Sequence, residues 1–473
     1  MKAGLQWIEE KTPDLISLAS AIWEYAEPSL WEERSSQLLA DYLAQEGFEV
    51  RRGVGGMPTA FVASWGSGRP IIGYLGEYDA LPGLSQRAIP RREPLVPGAP
   101  GHGCGHNLLG VGSLGAAVAL KRELQAHGTA GTVRYYGCPA EETAIGKVFM
   151  AKEGVFDDLD VALSWHPNAI NMPNSGTSLA LNSAKFAFHG RSSHASAAPH
   201  LGVSALDAVE LMNVGVNFLR EHVPPETRIH YVITNGGSEP NVVPALAEVW
   251  YYVRAPHRVE VESVYQRIVK IAEGAALMTG AELEIKFQTG LYDLLPNNVL
   301  SDLLEESLRT VGVPSFTEEE REFARGIEDS FTLGQKAAML RTRHLPQEFL
   351  DITLHDGVAW DFDRGETMWG STDVGDVSWI VPTGQITTAC YVVGTGGHSW
   401  QAAAASGTSI GHKGMITAAR ALGFAGYQLV SRPEFLAQAR EAFEKSRGDK
   451  RYQSPLPQEL NAPLAQLPDH GYH

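Results

Sequence analysis

Seven residues, Gly101-His102-Gly103-Cys104-Gly105-His106-Asn107, open an apolar stretch that predicts a helix from residue 107 to about residue 126. The glycines let the backbone fold back, so that Cys104 and His106, one residue apart, can point at a common position. A thiolate and a neutral imidazole are ligands that suit zinc or a similar first-row ion. The alternative is a tight loop with a buried thiol and an incidental histidine. The loop alone leaves both interpretations open, so further ligands must come from other segments.

Three segments elsewhere end a short, β-rich apolar run with a side chain that can bind metal. Predicted strands at residues 132–138, 161–165 and 388–393 precede, in that order, Glu141 with Glu142, His166, and His398. Ligands of open α/β sheets bind beyond the carboxyl ends of the strands. We therefore expect these side chains to converge with the loop at residues 101–107.

The two adjacent glutamates can divide the chemistry between them. Glu142 can bind metal while Glu141 stays free as the general base for an activated water. Taken singly, the glutamate pair could simply lie at a solvated helix start, and His166 and His398 are better explained as histidines capped by backbone carbonyls. Together, one cysteine, three histidines and two glutamates are enough ligands for two metal ions about 3.5–4 Å apart.

Six motifs, in order, resemble the aminoacylase/carboxypeptidase G superfamily of dinuclear metallohydrolases, in its hippurate and auxin-conjugate hydrolase branch. They are GEYDALP at 76–82, GHGCGHN at 101–107, GCPAEE at 137–142, SWHP at 164–167, GSEPNVV at 237–243 and STDVGD at 371–376. The resemblance covers roughly residues 5–430. Two positions depart from the pattern: Glu77 stands where many relatives have a ligand histidine, and Asn107 where the branch usually has aspartate.

The resemblance implies a role for each site residue. It implies two divalent metal ions held by Cys104, His106, Glu142, His166 and His398, with Glu141 as catalytic base and Asp79 as the carboxylate that orients the metal cluster. The thiolate favours zinc, whereas the carboxylates keep manganese open.

The order of predicted elements indicates an α/β fold with an insertion. Residues 1–181 alternate helices and strands, which predicts a mixed, largely parallel sheet in a catalytic domain. Residues 182–296 have the order β-α-β-β-α-β of a ferredoxin-like unit, which the resemblance makes a lid and dimerisation domain. Residues 297–445 return to the catalytic domain, and residues 446–473 are expected to form a loosely ordered tail.

The inserted unit carries three further candidates. By resemblance, His194 reaches the site of a neighbouring subunit and stabilises the oxyanion, and Asn241 contacts the scissile group. Arg254 is assigned to the substrate carboxylate, because a guanidinium pairs with it bidentately. The alternatives are a helix-capping His194, a turn-forming Asn241, and an Arg254 paired with a surface acid.

Composition narrows the class of protein. The formal net charge of −17 opposes nucleic-acid or anionic-membrane binding, and no apolar run of about 18 residues predicts a membrane span. Three cysteines, an odd number, argue against a disulfide framework and for the cytoplasm.

These observations predict a metal-dependent amidohydrolase of N-acyl or N-aroyl amino acids. The resemblance puts p-aminobenzoyl-glutamate first as substrate, with indole-acetyl-aspartate or a dipeptide as alternatives. It implies a homodimer, or a heteromer with a homologous A subunit in which this chain is mainly structural. A binding protein that kept the metal site is the third possibility.

Overall fold

A computed structural model describes residues 1–463 of the 473-residue chain. Its larger sheet has seven strands in the order β1-β2-β4-β3-β5-β11-β6. These strands are β1 (Glu49–Arg52), β2 (Phe61–Ser67), β3 (Ile71–Glu77), β4 (Gly131–Cys138), β5 (Val161–Asn168), β6 (Met172–Pro173) and β11 (Thr383–Ala389). The four neighbouring strands β4, β3, β5 and β11 are parallel, and the outer pairings are antiparallel. The prediction of a mixed α/β sheet is confirmed.

Helices cover this sheet, as the continuous apolar runs of its central strands require. The helices of the larger unit are α1 (Lys2–Tyr25), α2 (Glu33–Gln45), α3 (His106–His127), α4 (Gly146–Lys152), α7 (Asn298–Val311), α8 (Glu318–Glu328), α9 (Leu333–Thr342), α10 (Val374–Ile380), α11 (Trp400–Ser406), α12 (Ser409–Ser431) and α13 (Pro433–Arg447). Helix α3 is buried along most of its length. A Cβ at Gly112 would lie 2.6 Å from the Trp165 ring, so close packing against β5 requires glycine there.

The inserted unit is a four-stranded antiparallel sheet with the order β10-β7-β9-β8. Its elements are β7 (Ala180–His189), α5 (Ala205–Leu219), β8 (Arg228–Asn235), β9 (Leu246–Ala255), α6 (Arg258–Thr279) and β10 (Glu282–Leu291). Both helices pack on one face of the sheet and share one apolar core with it. The predicted β-α-β-β-α-β order is confirmed. Neither α5 nor α6 packs on the opposite face of this sheet.

One prediction about local structure is wrong. The last strand of the larger sheet is β11, Thr383–Ala389, rather than residues 388–393. The backbone amides of Cys390 and Tyr391 both donate to the Asn168 carbonyl oxygen, which turns the chain out of the sheet. Residues 390–393 are buried, and this explains why they are apolar although they form no strand.

The segment after α13 is packed rather than loose as far as the structure describes it. Leu456 is 5% exposed and joins an apolar cluster of the larger unit. The Lys152 ammonium donates to the carbonyl oxygens of Pro457, Gln458 and Leu460. Leu456 and Lys152 thus anchor part of this irregular segment to the larger unit, and the loosely ordered tail over residues 446–473 stays a prediction, of which residues 464–473 lie outside the described residues.

Within the described part of the chain, none of the helices combines the length and apolar character needed to cross a bilayer.

Candidate metal centre

The side chains expected at the strand ends do converge. Within residues 1–463, three groups of donor atoms each lie within 4.8 Å of one another: Cys104 with His106 and His166, Cys104 with Glu142 and His398, and Glu77 with His106 and Glu141. Because β3, β4 and β5 are parallel neighbours, their carboxyl ends bring the glutamates and His166 to one edge of the sheet. The loop before α3 adds Cys104 there, the first residue of α3 adds His106, and the loop after β11 adds His398.

His106, at the first turn of α3, is oriented by Asp79. The His106 Nδ1 atom lies 2.8 Å from Asp79 Oδ1, and both side chains are buried. Asp79 also accepts hydrogen bonds from the Ser29 hydroxyl at 2.7 Å and the Glu142 backbone amide at 2.9 Å. Three segments are thus tied to one carboxylate, which fixes the His106 ring and directs its Nε2 atom away from Asp79.

Cys104 and His166 face each other, with the Sγ and Nε2 atoms 3.3 Å apart. The His166 Nδ1 atom lies 2.7 Å from the Pro167 carbonyl oxygen, which assigns a proton to Nδ1 and, in the neutral ring, leaves the Nε2 lone pair facing the Cys104 sulfur. Burial raises the pKa of the Cys104 thiol, but the imidazoles of His166 and His106 outweigh this and hold it well below its usual range. A thiolate is the form of cysteine that binds metal.

Glu142 and His398 close the other side of the cluster. The Glu142 Oε2 and His398 Nε2 atoms are 3.2 Å apart. His398 follows a glycine-rich loop, has a φ of 55°, and its backbone amide donates to the Gly103 carbonyl oxygen. Its side chain is 59% exposed, so this edge of the site is open to solvent.

Glu141 lies beside the cluster, with its Oε2 atom 3.8 Å from His106 Nε2 and its side chain 12% exposed. Burial, and then the charges of Glu77 and Asp373, raise the pKa of Glu141 well above its ordinary value. The turn that carries it is held by Glu32, whose Oε1 atom accepts the Ala140 amide at 2.7 Å. A partly accessible carboxyl with a raised pKa suits general acid and base chemistry.

A buried ion triad supports the cluster from behind. The Lys147 ammonium lies 2.7 Å from Glu77 Oε1 and 2.5 Å from Asp373 Oδ1, and all three side chains are at most 3% exposed. The Glu77 Oε2 atom faces His106 Nε2 at 3.3 Å. The departure at position 77 is therefore a carboxylate held in place by Lys147.

The donor set fits divalent metal ions. His106 Nε2 and Glu142 Oε1 are buried and have no hydrogen-bond partner within the described chain, although both point into the cluster. Burial, and then the Cys104 charge, raise the pKa of Glu142 to about 7. Closely spaced carboxylates that resist ionisation are stabilised by cations. Thiolate, imidazole and carboxylate are together the ligands of zinc and related ions.

Gly105 gives the loop the conformation that brings Cys104 and His106 into the cluster. Its φ is 78°, and a Cβ there would lie 2.2 Å from the Tyr391 hydroxyl. The other departure, Asn107, donates through its side-chain amide to the carbonyl oxygens of Ala19 and Ser406, both at 3.2 Å. An aspartate could not make these bonds, so the asparagine serves the packing of the helix start.

The three candidates in the inserted unit lie apart from this cluster. His194 and Asn241 are exposed neighbours on adjoining loops, where the Ala195 amide donates to the Asn241 carbonyl oxygen. The His194 ring accepts hydrogen bonds from the backbone amides of Ser196 and Ala197. Arg254 lies on β9, and its Nε atom is buried without a hydrogen-bond partner in the described part of the chain.

Sequence reasoning gave no role to Glu32, Lys147 or Asp373. Asp373 lies inside the STDVGD motif, and that motif could have indicated a role for it. Glu32 and Lys147 lie in segments with no local pattern that predicts a site.

Several known proteins resemble this chain in sequence or in fold. The peptidase dimerisation domain matches residues 180–278. The B subunit of the p-aminobenzoyl-glutamate hydrolase of Escherichia coli K12 is 41% identical over 469 residues, which cover 96% of each chain. A mouse Xaa-Arg dipeptidase is 28% identical over 92% of this chain and 90% of its own length. A dinuclear metal-binding peptidase of the M20 family from Bacillus subtilis has the same fold, with a TM-score of 0.56, 16% identity and coverage of 89% of this chain and 99% of its own.

Proposed function

Because the chain belongs to the M20 metallopeptidase family, in the branch of the B subunit of the E. coli p-aminobenzoyl-glutamate hydrolase, we propose that it hydrolyses p-aminobenzoyl-glutamate to p-aminobenzoate and glutamate. Membership of the family itself gives the general reaction, which is metal-dependent hydrolysis of an amide bond. The observation that carries the proposal is the accessible Glu141 carboxyl beside a cluster of thiolate, imidazole and carboxylate donors.

Two divalent ions, zinc or manganese, would be held by Cys104, His106, Glu142, His166 and His398. When bound, they would lower the pKa of a water molecule and polarise the scissile carbonyl group. Asp79 keeps His106 in the tautomer that offers Nε2, since it accepts a hydrogen bond from the protonated Nδ1.

Glu141 performs the proton transfers in this proposal. It takes the proton of the attacking water and later gives it to the amine of the departing amino acid. His194 and Asn241, neighbours on the inserted unit, would donate to the oxyanion and the scissile group of a second subunit's substrate. Arg254 would bind the α-carboxylate of the amino acid.

A dimer is part of the proposal. Strand β8 is an edge strand of the inserted sheet, with Val232 and Ile233 55% and 40% exposed. An exposed apolar edge favours pairing with a second strand. The partner is either a second copy of this chain or a homologous A subunit.

We also propose the cytoplasm as the location of the protein. Cys104, Cys138 and Cys390 are all unpaired, and Cys104 in the thiolate form requires a reducing environment to stay available for metal.

The test is hydrolysis by the purified single chain, stripped of metal and reloaded separately with zinc or manganese, with release of p-aminobenzoate measured directly. We expect metal to restore turnover, and Glu141→Gln to lower kcat by about 10²- to 10⁴-fold while metal content by mass spectrometry stays unchanged. Glu153→Gln, at an exposed glutamate of the same domain, is the control. Turnover that stays full in Glu141→Gln contradicts the assignment of the base. Silence of the metal-loaded chain, restored by a homologous A subunit, would favour the heteromer.

A further inference from the structure

The outer face of the inserted sheet carries a cationic cleft of about 550 Å³. It is lined by Arg228 and His230 of β8, Tyr252 and Arg254 of β9, and Trp369 of the larger unit. Along β9 the side chains alternate, with Tyr251 and Val253 packed against the helices. Arg254 and Tyr252 therefore lie on the free face of the sheet.

The two arginines are directly opposite each other. Arg228 pairs with Arg254 in the register of β8 and β9, and opposed residues of an antiparallel pair have Cβ atoms about 5 Å apart. Like charges at such positions repel, which destabilises the pair unless an anion lies between them. Burial lowers the pKa of His230, and the charges of Arg254, Arg220 and Arg228 lower it further.

Neither arginine has an acidic partner among the described residues. No carboxylate of residues 1–463 lies within 4.0 Å of a guanidinium nitrogen of Arg228 or Arg254, in a chain with a net charge of −17. The Nη1 atom of Arg228 donates to the carbonyl oxygens of Pro225 and Thr227, and Arg254 Nε is buried without a partner in the same range. The guanidinium groups thus remain available to an external anion.

Trp369 connects this cleft to the catalytic domain. Its ring centroid is 4.9 Å from Arg228 Cζ, so the guanidinium is held on the aromatic face. The loop of Trp369 is fixed at the start of β7, where the Leu179 amide donates to the Gly370 carbonyl oxygen. The next residue back, Met368, contacts Arg343 through its sulfur atom. The cleft therefore spans the junction of the two units.

We propose that Arg228 binds the side-chain carboxylate of an acidic amino acid while Arg254 binds its α-carboxylate, so that the enzyme selects dicarboxylic amino-acid conjugates. This inference rests on the proposed function and assigns its specificity to a residue pair. A guanidinium matches a carboxylate bidentately, and two opposed guanidiniums match two carboxylates of one molecule. A basic side chain, as in the Xaa-Arg substrates named for the mouse relative, would meet two cations and is disfavoured.

The experiment compares three conjugates that differ only in the amino acid: p-aminobenzoyl-glutamate, -glutamine and -arginine. Kinetics are measured for the metal-loaded wild type, Arg228→Gln, Arg254→Gln and the control Lys286→Gln. Lys286 also lies on the outer face, but it has acidic partners in Glu248 and Glu284. We expect Arg228→Gln to raise KM for the glutamate conjugate by about 10- to 100-fold with little change for glutamine. Arg254→Gln should weaken all three conjugates, and Lys286→Gln none.

A binding measurement tests the role of Arg228 independently of the proposed hydrolysis. Titration calorimetry on Glu141→Gln, with and without Arg228→Gln, measures the affinity ratio of the glutamate and glutamine conjugates without turnover. If the wild type hydrolyses none of the conjugates but Arg228→Gln abolishes the glutamate preference in binding, the reaction is wrong and the cleft is right. An affinity ratio and a KM ratio that Arg228→Gln leaves unchanged, or no binding of any conjugate, would overturn the inference.

Discussion

Lys147→Met is expected to destabilise the larger unit severely, because it removes the cation from a buried triad. The ammonium lies 2.7 Å from Glu77 and 2.5 Å from Asp373, and the three side chains are between 0% and 3% exposed. Methionine nearly preserves the volume, so the cavity cost is small. What remains is the cost of two buried carboxylates without their counter-ion, about 3–5 kcal/mol in the free energy of unfolding when one partner of such a group is deleted.

Urea-induced unfolding of the metal-free protein, followed by tryptophan fluorescence and circular dichroism, measures this loss. The control is Arg309→Met, which removes a cation from an exposed i,i+4 pair with Glu305 and should cost about 0.3–0.5 kcal/mol. A variant that adds Glu77→Gln and Asp373→Asn to Lys147→Met should regain most of the stability, since replacement of a whole buried ion group is often close to neutral. A loss below about 1 kcal/mol in the single variant, or no recovery in the triple variant, would refute the assignment of the penalty to unpaired charge.

Three further changes test other parts of the structure. Burial raises the pKa of Asp376 to about 7, whereas an aspartate in the unfolded chain has a pKa of about 3.9. Between these two pH values the folded state binds one more proton than the unfolded state. The free energy of unfolding therefore falls as pH rises through this window. Asp376→Asn should remove that fall, as unfolding curves at pH 5 and 8 would reveal. Asn107→Asp should cost about 1–3 kcal/mol in unfolding free energy, because its carboxylate would face two carbonyl oxygens. Gly105→Ala should lower both thermal stability and bound metal, measured by calorimetry and mass spectrometry, because its Cβ would overlap the Tyr391 hydroxyl.

The clustering of the donor side chains could be predicted from the sequence because each stands next to a local pattern. Glu142 follows a β-rich run that ends in glycine and cysteine, and Cys104 lies in a glycine-rich loop before a helix. The βαββαβ unit was predictable for a similar reason, since its strands and helices differ in hydrophobic period. The error at residues 388–393 arose because a buried irregular segment is as apolar as a buried strand.

The supporting residues could not be predicted, because their contacts join distant parts of the chain. Lys147 and Asp373 are 226 positions apart, and Glu32 and Ala140 are 108 apart. No periodicity in either segment encodes such a pair. Arg228 and Arg254 lie opposite each other only because of the register of β8 and β9, and a shift of one residue would place their side chains on opposite faces of the sheet.

The division of charge between the two units follows from the chemistry of an N-acyl amino acid. Its carbonyl group must meet cations, whereas its carboxylates must meet guanidinium groups. The residues that would hold those cations in the proposed reaction, Cys104, Glu142 and their acidic neighbours, would repel a carboxylate that came close to them. The location of Arg228 and Arg254 on a separate sheet, beside Trp369 of the larger unit, leaves their guanidinium groups free for the carboxylates in this proposal.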